Sequence, residues 1–282
     1  MVIGEALLTH LSCIGRLCPE DAEAVRRIGG EVRTIRRHKD ILSSGDIPRF
    51  AVIVLKGLLC RYTTSKNGAR QIHSFCMPTD APFFDALYLD HVDDSLGALV
   101  SSVVGLVPHA NLFRRMEKRP HLAALIMRSG VLQGSMSRQW LLRNSTQPAD
   151  VSMANLFCET YARADAAGLV ANGSCDLPAT QENLGEALGL TGVHVNRTLQ
   201  RLRKLGQVDL KLGRLFIKDF GALARLAEFD PHYLHLKRGA GISEPTADAG
   251  RRPIALTTAR PEPWLPRSRG EHEWAMTTAV TG

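Results

Sequence analysis

This chain of 282 residues has no long apolar run, no paired-cysteine motif and no excess of acid. No segment reaches the roughly 18 consecutive apolar residues that a membrane span needs, so no membrane partner is expected. The opening residues, MVIGEALLTHLSCIG, carry no basic cluster ahead of their apolar positions, which is not the pattern of a secretory leader; the expectation is a cytoplasmic chain. The six cysteines, Cys13, Cys18, Cys60, Cys76, Cys158 and Cys175, are scattered without a C-x-x-C, which suits reduced thiols better than a disulfide framework. There is also no H-x-H pair followed by a glutamate. His38, His73, His91 and His109 lie far apart, so neither a metal nor another cofactor is expected, and bound iron, manganese or zinc would reopen a metal-enzyme reading.

What is present describes an ordinary globular protein: 44% apolar and 22% charged residues. The length suits about two domains. A formal charge of +7 and a pI near 9.3 favour an anionic partner, with nucleic acid the commonest.

Ala6 to Leu11 and Pro19 to Ile28 have helical spacing. From Glu31 to His109 short β-type runs follow one another, at Val32–Ile35, Phe50–Leu55, Leu58–Thr63, Gln71–Phe75 and Leu99–Val107. Asn67-Gly68 marks a hairpin, and the close spacing of the runs predicts a small β-barrel or sandwich. After Pro120 the pattern becomes one long helix with Leu122, Leu125, Ser129, Leu132 and Met136 spaced three and four apart. That spacing suits a helix that pairs with another copy of itself, and equally one that packs inside its own chain. A turn at 144–148 precedes a helix from about Asp150 to Ala167. From 237 onward periodicity is lost in a segment rich in Pro, Gly and Arg, which reads as a disordered tail.

The stretch TQENLGEALGLTGVHVNRTLQRLRKLG, Thr180 to Gly206, holds two short helical patterns around Gly189. Thr180 is a natural N-cap with Glu182 in the first turn, and Gly189 can take the left-handed conformation that ends so short a helix. Thr191 caps the second helix, whose buried stripe is Val195, Leu199 and Leu202. Val193, His194, Asn196, Arg197, Gln200, Arg201 and Lys204 remain outside. Asn and Gln can pair with adenine edges, Arg with guanine or phosphate, and Val with a thymine methyl. Two short strands, Gln207–Leu210 and Arg214–Lys218, meet around Leu212-Gly213 as a wing. Lys211 and Arg214 lie there among seven basic residues between Thr180 and Lys218, against three acids. A solvated face on an ordinary helix pair is the alternative.

On these residues the chain resembles the Crp/Fnr family of bacterial transcription regulators, most closely at HVNRTLQ. VLKGLLCRY followed by NGARQIHSF is similar to the hairpin strands of that family's sensor. The resemblance implies an α+β protein: an N-terminal β-roll sensor like a cyclic-nucleotide-binding domain (1–119), a long dimerisation helix (120–147), a winged helix-turn-helix (148–236) and the tail (237–282). It implies a non-enzymatic, sequence-specific regulator that reads a palindromic operator in double-stranded DNA as a homodimer, with RNA polymerase a further partner. Arg197 falls where the family keeps a DNA-contacting arginine, and Thr191 where a helix-start hydroxyl meets phosphate. Gly192 and Val193 depart from the polar residues of the best-known members, so the bases read must differ.

Within that resemblance, cyclic AMP is not the expected effector. From Gln71 to Phe113 there is no Lys or Arg, while Pro78 to Asp94 holds Asp80, Asp85, Asp90, Asp93 and Asp94. Cys13 and Cys18 do not match the cysteine spacing of the family's iron–sulfur sensors. Cys60 and Cys76 stand as thiol sensors or as buried structural residues. A ligand-binding barrel that dimerises without reading DNA is the second reading.

Overall fold

The computed structural model describes residues 1–237, and the expected tail, Lys237 excepted, lies outside the described residues. Helix α1 (Ile3–Ile14) buries Ile3, Ala6, Leu7, Leu11 and Ile14 on one face. Helix α2 (Pro19–Arg26) begins with proline in its first turn, where a missing N–H costs nothing, and the Cys18 sulfur accepts a hydrogen bond from the Asp21 N–H.

Seven antiparallel strands follow: β1 (Glu31–Ile35), β2 (Asp40–Leu42), β3 (Phe50–Lys56), β4 (Leu59–Thr64), β5 (Arg70–Cys76), β6 (Ser95–Ala98) and β7 (Ser102–Pro108). They form two sheets, ordered β1-β7-β3 and β2-β6-β4-β5. The β4–β5 hairpin turns at Asn67-Gly68, with Gly68 at φ 84°. Strand β3 shows how the roll is held. Val52 and Val54 pack into the roll with Leu59, Leu96 and Val104, while Ala51, Ile53 and Leu55 point the other way, onto the helices. A strand covered on both faces must be apolar throughout, and FAVIVLK is nearly so. The expected run at Leu99–Val107 is narrower as a strand, and β2 and β6 were not expected.

Helix α3 (His109–Lys118) leads into helix α4 (Pro120–Thr146), which Pro120 starts. Gly130 lets α4 lie against the acidic segment: a Cβ there would sit 3.1 Å from the Asp85 amide nitrogen. The stripe Leu122, Leu125, Ser129, Leu132 and Met136 is buried by the chain itself. Leu122, Leu125 and Leu132 pack with α1, Ser129 Oγ lies 2.7 Å from His10 Nε2, and Met136 packs with Leu234. Of the two arrangements its spacing allowed, these five residues take the intrachain one.

Gln147-Pro148 separates α4 from helix α5 (Ala149–Ala166). Then come β8 (Ser174–Asp176), α6 (Gln181–Leu188), α7 (Gly192–Lys204), β9 (Val208–Lys211), β10 (Arg214–Ile217) and α8 (Phe220–Leu226), with the three strands ordered β8-β10-β9. One buried cluster runs from Leu58, Ile72 and Phe75 of the roll, through Trp140, to Leu156, Phe157 and Leu199. Phe75 and Trp140 meet edge to face at 5.8 Å between ring centroids.

Candidate nucleic-acid interface

Helices α6 and α7 are set by local chemistry. Thr180 Oγ1 accepts from the Asn183 N–H at 3.2 Å, and Asn183 Oδ1 accepts from the Thr180 N–H at 3.1 Å, a reciprocal cap. Gly189 ends α6 at φ 66°. Gly185 is needed for close approach, because a Cβ there would lie 2.6 Å from the Leu190 carbonyl oxygen. Thr191 caps α7 through the His194 N–H. Outside the helix pair, the carbonyl of Ala187 accepts from Asn144 Nδ2 at 2.7 Å and from Gln71 Nε2 at 3.3 Å, tying α6 to α4 and to β5.

The α7 stripe Val195, Leu199 and Leu202 is buried, and Thr198 joins it. Thr191, Val193, His194, Asn196, Arg197, Gln200, Arg201 and Lys204 are exposed, and Thr180 is half-buried. Val193 is 73% exposed at the helix start. Asn196 Nδ2 donates to Gln181 Oε1 at 3.4 Å, linking the two helices.

The basic residues are not equally free. Arg201 pairs with Asp150 at 3.2 Å, Arg203 with Asp209 at 3.1 Å, Lys211 with Asp209 at 3.1 Å, and Arg214 with Asp176 at 2.9 Å. The Lys211 and Arg203 cations hold the Asp209 carboxyl below its ordinary range. Among the described residues Arg197, Lys204 and Lys218 have no ion-pair partner. Arg197 is therefore the unspent guanidinium on the outer face of α7. At the wing tip, Leu212 and Gly213 both have positive φ, 51° and 74°, as a tight two-residue hairpin turn requires, and Leu212 is 99% exposed.

The outer face of α4 is the second candidate surface. Met127, Val131, Leu141 and Leu142 are exposed there, at 53%, 68%, 73% and 54%. Ala124, Met127, Val131, Gly134, Arg138 and Leu141 follow one another by three and four residues, shifted by two from the buried stripe.

In the roll, the acidic segment is served by an arginine from β4. Arg61 Nε and Nη2 donate to the two oxygens of Asp94 at 2.7 and 3.1 Å, and Nη1 donates to Asp85 at 2.7 Å and to the Pro82 carbonyl at 2.9 Å. Burial opposes its charge, but Asp94 and Asp85 outweigh that and hold its pKa above the ordinary arginine value. The adjoining cavity, about 340 Å³, is lined by Arg61, His73, Asp85, Asp93 and Asp94 together with Gln133 of α4. Its one arginine is engaged by two carboxylates and a backbone carbonyl.

Cys60, Cys76, Cys158 and Cys175 are buried, and burial pushes the Cys60 thiol up to about 11. An iron–sulfur cluster needs a set of converging thiolates. Among the described residues no group of three or more His, Cys, Asp or Glu is arranged to hold a metal, so the thiols present do not fit that group. His38, His73, His91 and His109 form no such group either.

Sequence reasoning missed a buried network at the α4–α5 junction. Glu159 accepts from Trp140 Nε1 at 3.0 and 2.9 Å and from the Tyr233 hydroxyl at 2.7 Å, with Arg143 and Arg163 each 3.6 Å away. Arg163 in turn donates to Asp80 at 2.6 Å. The one sequence signal was Glu159 and Arg163, four apart on a helix whose other buried residues are mostly apolar.

With this geometry in view, the comparisons with known proteins agree. Residues 152–226 match the Crp-like helix-turn-helix domain. The chain is 28% identical over 199 residues to the fumarate and nitrate reduction regulatory protein of Shigella dysenteriae, covering 69% of this chain and 78% of that one. It is 28% identical over 195 residues to the anaerobic regulatory protein of Pasteurella multocida, covering 69% and 71%. Among solved structures, FixK2 from Bradyrhizobium japonicum superposes with a TM-score of 0.60 at 19% identity, over 70% of this chain and 97% of that one. A Crp/Fnr-family transcriptional regulator from Thermus thermophilus does so with a TM-score of 0.52 at 19% identity, over 70% and 98%. No helix among the described residues is long and apolar enough to cross a membrane. The capped helix pair with its wing is a Crp-like helix-turn-helix, and the chain as a whole is similar to transcriptional regulators of the Crp/Fnr family, a family of non-enzymatic proteins.

Proposed function

We propose that the protein is a homodimer that reads a two-fold palindromic operator, one α7 per subunit in successive major grooves about 34 Å apart. The observation that carries this is the outer face of α7, where Arg197 is exposed and has no carboxylate partner among the described residues. Val193, His194, Asn196, Arg197 and Gln200 are the base-edge set. Thr180, Thr191, Arg201, Lys211 and Arg214 are the phosphate set, Arg201 exchanging Asp150 for phosphate on binding. The functional units are 1–119 for sensing, 120–147 for pairing and 148–236 for DNA.

Pairing uses the outer seam of α4 rather than the stripe first read from the sequence. Ala124, Met127, Val131, Gly134, Arg138 and Leu141 repeat every seven residues, so a second copy running alongside meets the same positions. Exposed apolar residues at that spacing call for a partner.

The effector is not cyclic AMP. A cyclic phosphate needs a free cation, and Arg61, the one arginine lining the cavity beside the acidic segment, is already held by Asp94 and Asp85. The Pasteurella multocida relative is named for anaerobic regulation, and among the described residues the thiols of this chain do not converge as a cluster would require. The protein's work is cytoplasmic, on the chromosome, and RNA polymerase is the further partner of such a regulator.

The test is selection of bound fragments from genomic DNA by the full chain, followed by gel shifts at rising salt. A shared palindrome and an affinity falling steeply with salt are expected. Absence of any salt-dependent shift on every fragment would leave the non-DNA-reading dimer standing instead.

A further inference from the structure

Two half-sites about 34 Å apart can be read only if each helix-turn-helix keeps a fixed angle to the helix that pairs the subunits. The covalent joint at Gln147-Pro148 leaves rotation open, so contacts beyond it must set that angle. The tight turn of the helix pair creates one. Gly189 and Leu190 both donate to the Gly185 carbonyl, and among the described residues no backbone N–H reaches the carbonyl of Ala187, one of those that a helix end leaves without a partner. Its donors come from outside the helix-turn-helix: Asn144 Nδ2 of α4 at 2.7 Å and Gln71 Nε2 of β5 at 3.3 Å.

Beside that carbonyl, Arg70 of β5 faces Glu186 of α6. The roll holds the arginine in place. Its guanidinium carbon lies 3.8 Å from the centroid of the Tyr62 ring, and its Nη2 donates to Cys60 Sγ at 2.8 Å. The Tyr62 hydroxyl donates in turn to Asp40 at 2.9 and 2.8 Å. This stack lies directly on β6, where a Cβ at Gly97 would sit 2.6 Å from Asp40 Oδ1 and 3.1 Å from Tyr62 Cε1. Arg70 Nε is 3.9 Å from Glu186 Oε2, and both atoms are buried with no hydrogen-bond partner among the described residues. A closed charge-assisted bond spans about 2.7–2.9 Å, so an approach of about 1 Å separates the loose pair from a tight one.

We propose that Arg70 and Glu186 are positioning residues for DNA reading. The β4–β5 hairpin seats the last turn of α6, and through the turn at Gly189 it sets the angle at which α7 meets the duplex. The seated pose leaves the outer face of α7 uncovered. The seat stands on contacts within the chain, whereas its use in reading DNA rests on the proposed function.

The test uses Arg70→Gln and Glu186→Gln in the full chain, singly and together. Without DNA, hydrogen exchange at the Leu188, Gly189 and Leu190 amides should quicken about threefold or more in each single variant, while the wing strands exchange as before. The double variant should exchange no faster than the quicker single one, since both remove one shared contact. On the selected palindrome, each single variant should bind at least about threefold more weakly with its salt dependence unchanged, whereas a lost phosphate contact would lower the salt slope by about one. Glu186→Gln is the sharper case, because removing an acid tightens DNA binding by charge alone. Unaltered exchange at the turn, or effects that simply add in the double variant, would overturn the seat. Quickened exchange with equal or tighter operator binding, or with a reduced salt slope, would overturn the positioning role. A parent chain that bound no DNA would instead remove the proposed function, with the exchange rates still deciding the seat.

Discussion

Helices α4 and α7 carry the same kind of stripe and end in different roles. Each buries one face at three-and-four spacing, Leu122 to Met136 in α4 and Val195 to Leu202 in α7. Their outer faces differ. That of α7 is polar and basic around Arg197, whereas that of α4 is apolar at Met127, Val131 and Leu141. A stripe marks what must be covered but not what covers it. The opposite face of the same helix supplies that information: a polar face suits an anionic duplex, and a second apolar face calls for another helix.

Making the outer face of α4 charged should have the largest effect. Met127→Asp with Val131→Asp removes two apolar side chains per subunit from the proposed seam, each worth about 1.5–3 kcal/mol of association when fully buried, and should give folded monomers in sedimentation. Unchanged dimers would place the pairing surface elsewhere. On the inner face of α7, Leu199→Ala should instead lower fold stability by about 2–5 kcal/mol, read by denaturant unfolding, because Leu199 is buried among Val195, Leu202 and Phe157.

The outer face of α7 is tested by two arginines. Arg197→Ala should cost about 1–3 kcal/mol of operator binding with fold stability unchanged. Arg201→Ala should cost less, since binding must first separate Arg201 from Asp150. Equal losses in a binding titration would remove the distinction between a free and a committed cation.

A smaller and distributed effect follows from pH. Burial holds the His10 imidazole below its ordinary 6.5, more than offsetting the pull of Asp80, and Arg163 acts in the same direction as burial. His73 and His109 are depressed by burial too. The unfolded chain takes up these protons near 6.5, whereas the folded chain resists them. Stability should therefore be complete above that pH and decline as pH falls below it. His10→Gln, which keeps a donor for Ser129, should flatten the decline in melting temperature; an unaltered slope would clear His10 of responsibility.

The smallest effect concerns the wing. Leu212 sits at φ 51°, a conformation that asparagine tolerates better than leucine, so Leu212→Asn should raise stability by about 1 kcal/mol or less. A lower melting temperature would show that the leucine is held there by contacts worth more than the strain.

The sequence made the helix-turn-helix legible nearly residue by residue, because its signals are local: Thr180 and Thr191 cap, Gly189 turns, and the stripe follows. Strands β3, β4 and β5 were legible for a similar reason, each a dense apolar or β-branched run. Strands β2, β6 and β8 were not, being three or four residues long, with charge or glycine inside and partners distant in sequence. At the candidate interface, exposure of the α7 face could be read from periodicity. The pairing of Arg214 with Asp176 and of Arg201 with Asp150 could not, because it depends on how separate elements meet. The Arg143, Glu159 and Tyr233 network escaped for the same reason.

The contact between Phe75 and Trp140 bears on how this protein can be dissected. Because one apolar cluster runs from the roll into the DNA-binding helices, a fragment cut at Ala149 would lay bare Phe157 and its neighbours. Chimeras that exchange sensors with a relative will keep their solubility only when residues from both sides of that contact travel together, so the natural unit of exchange is larger than either functional half.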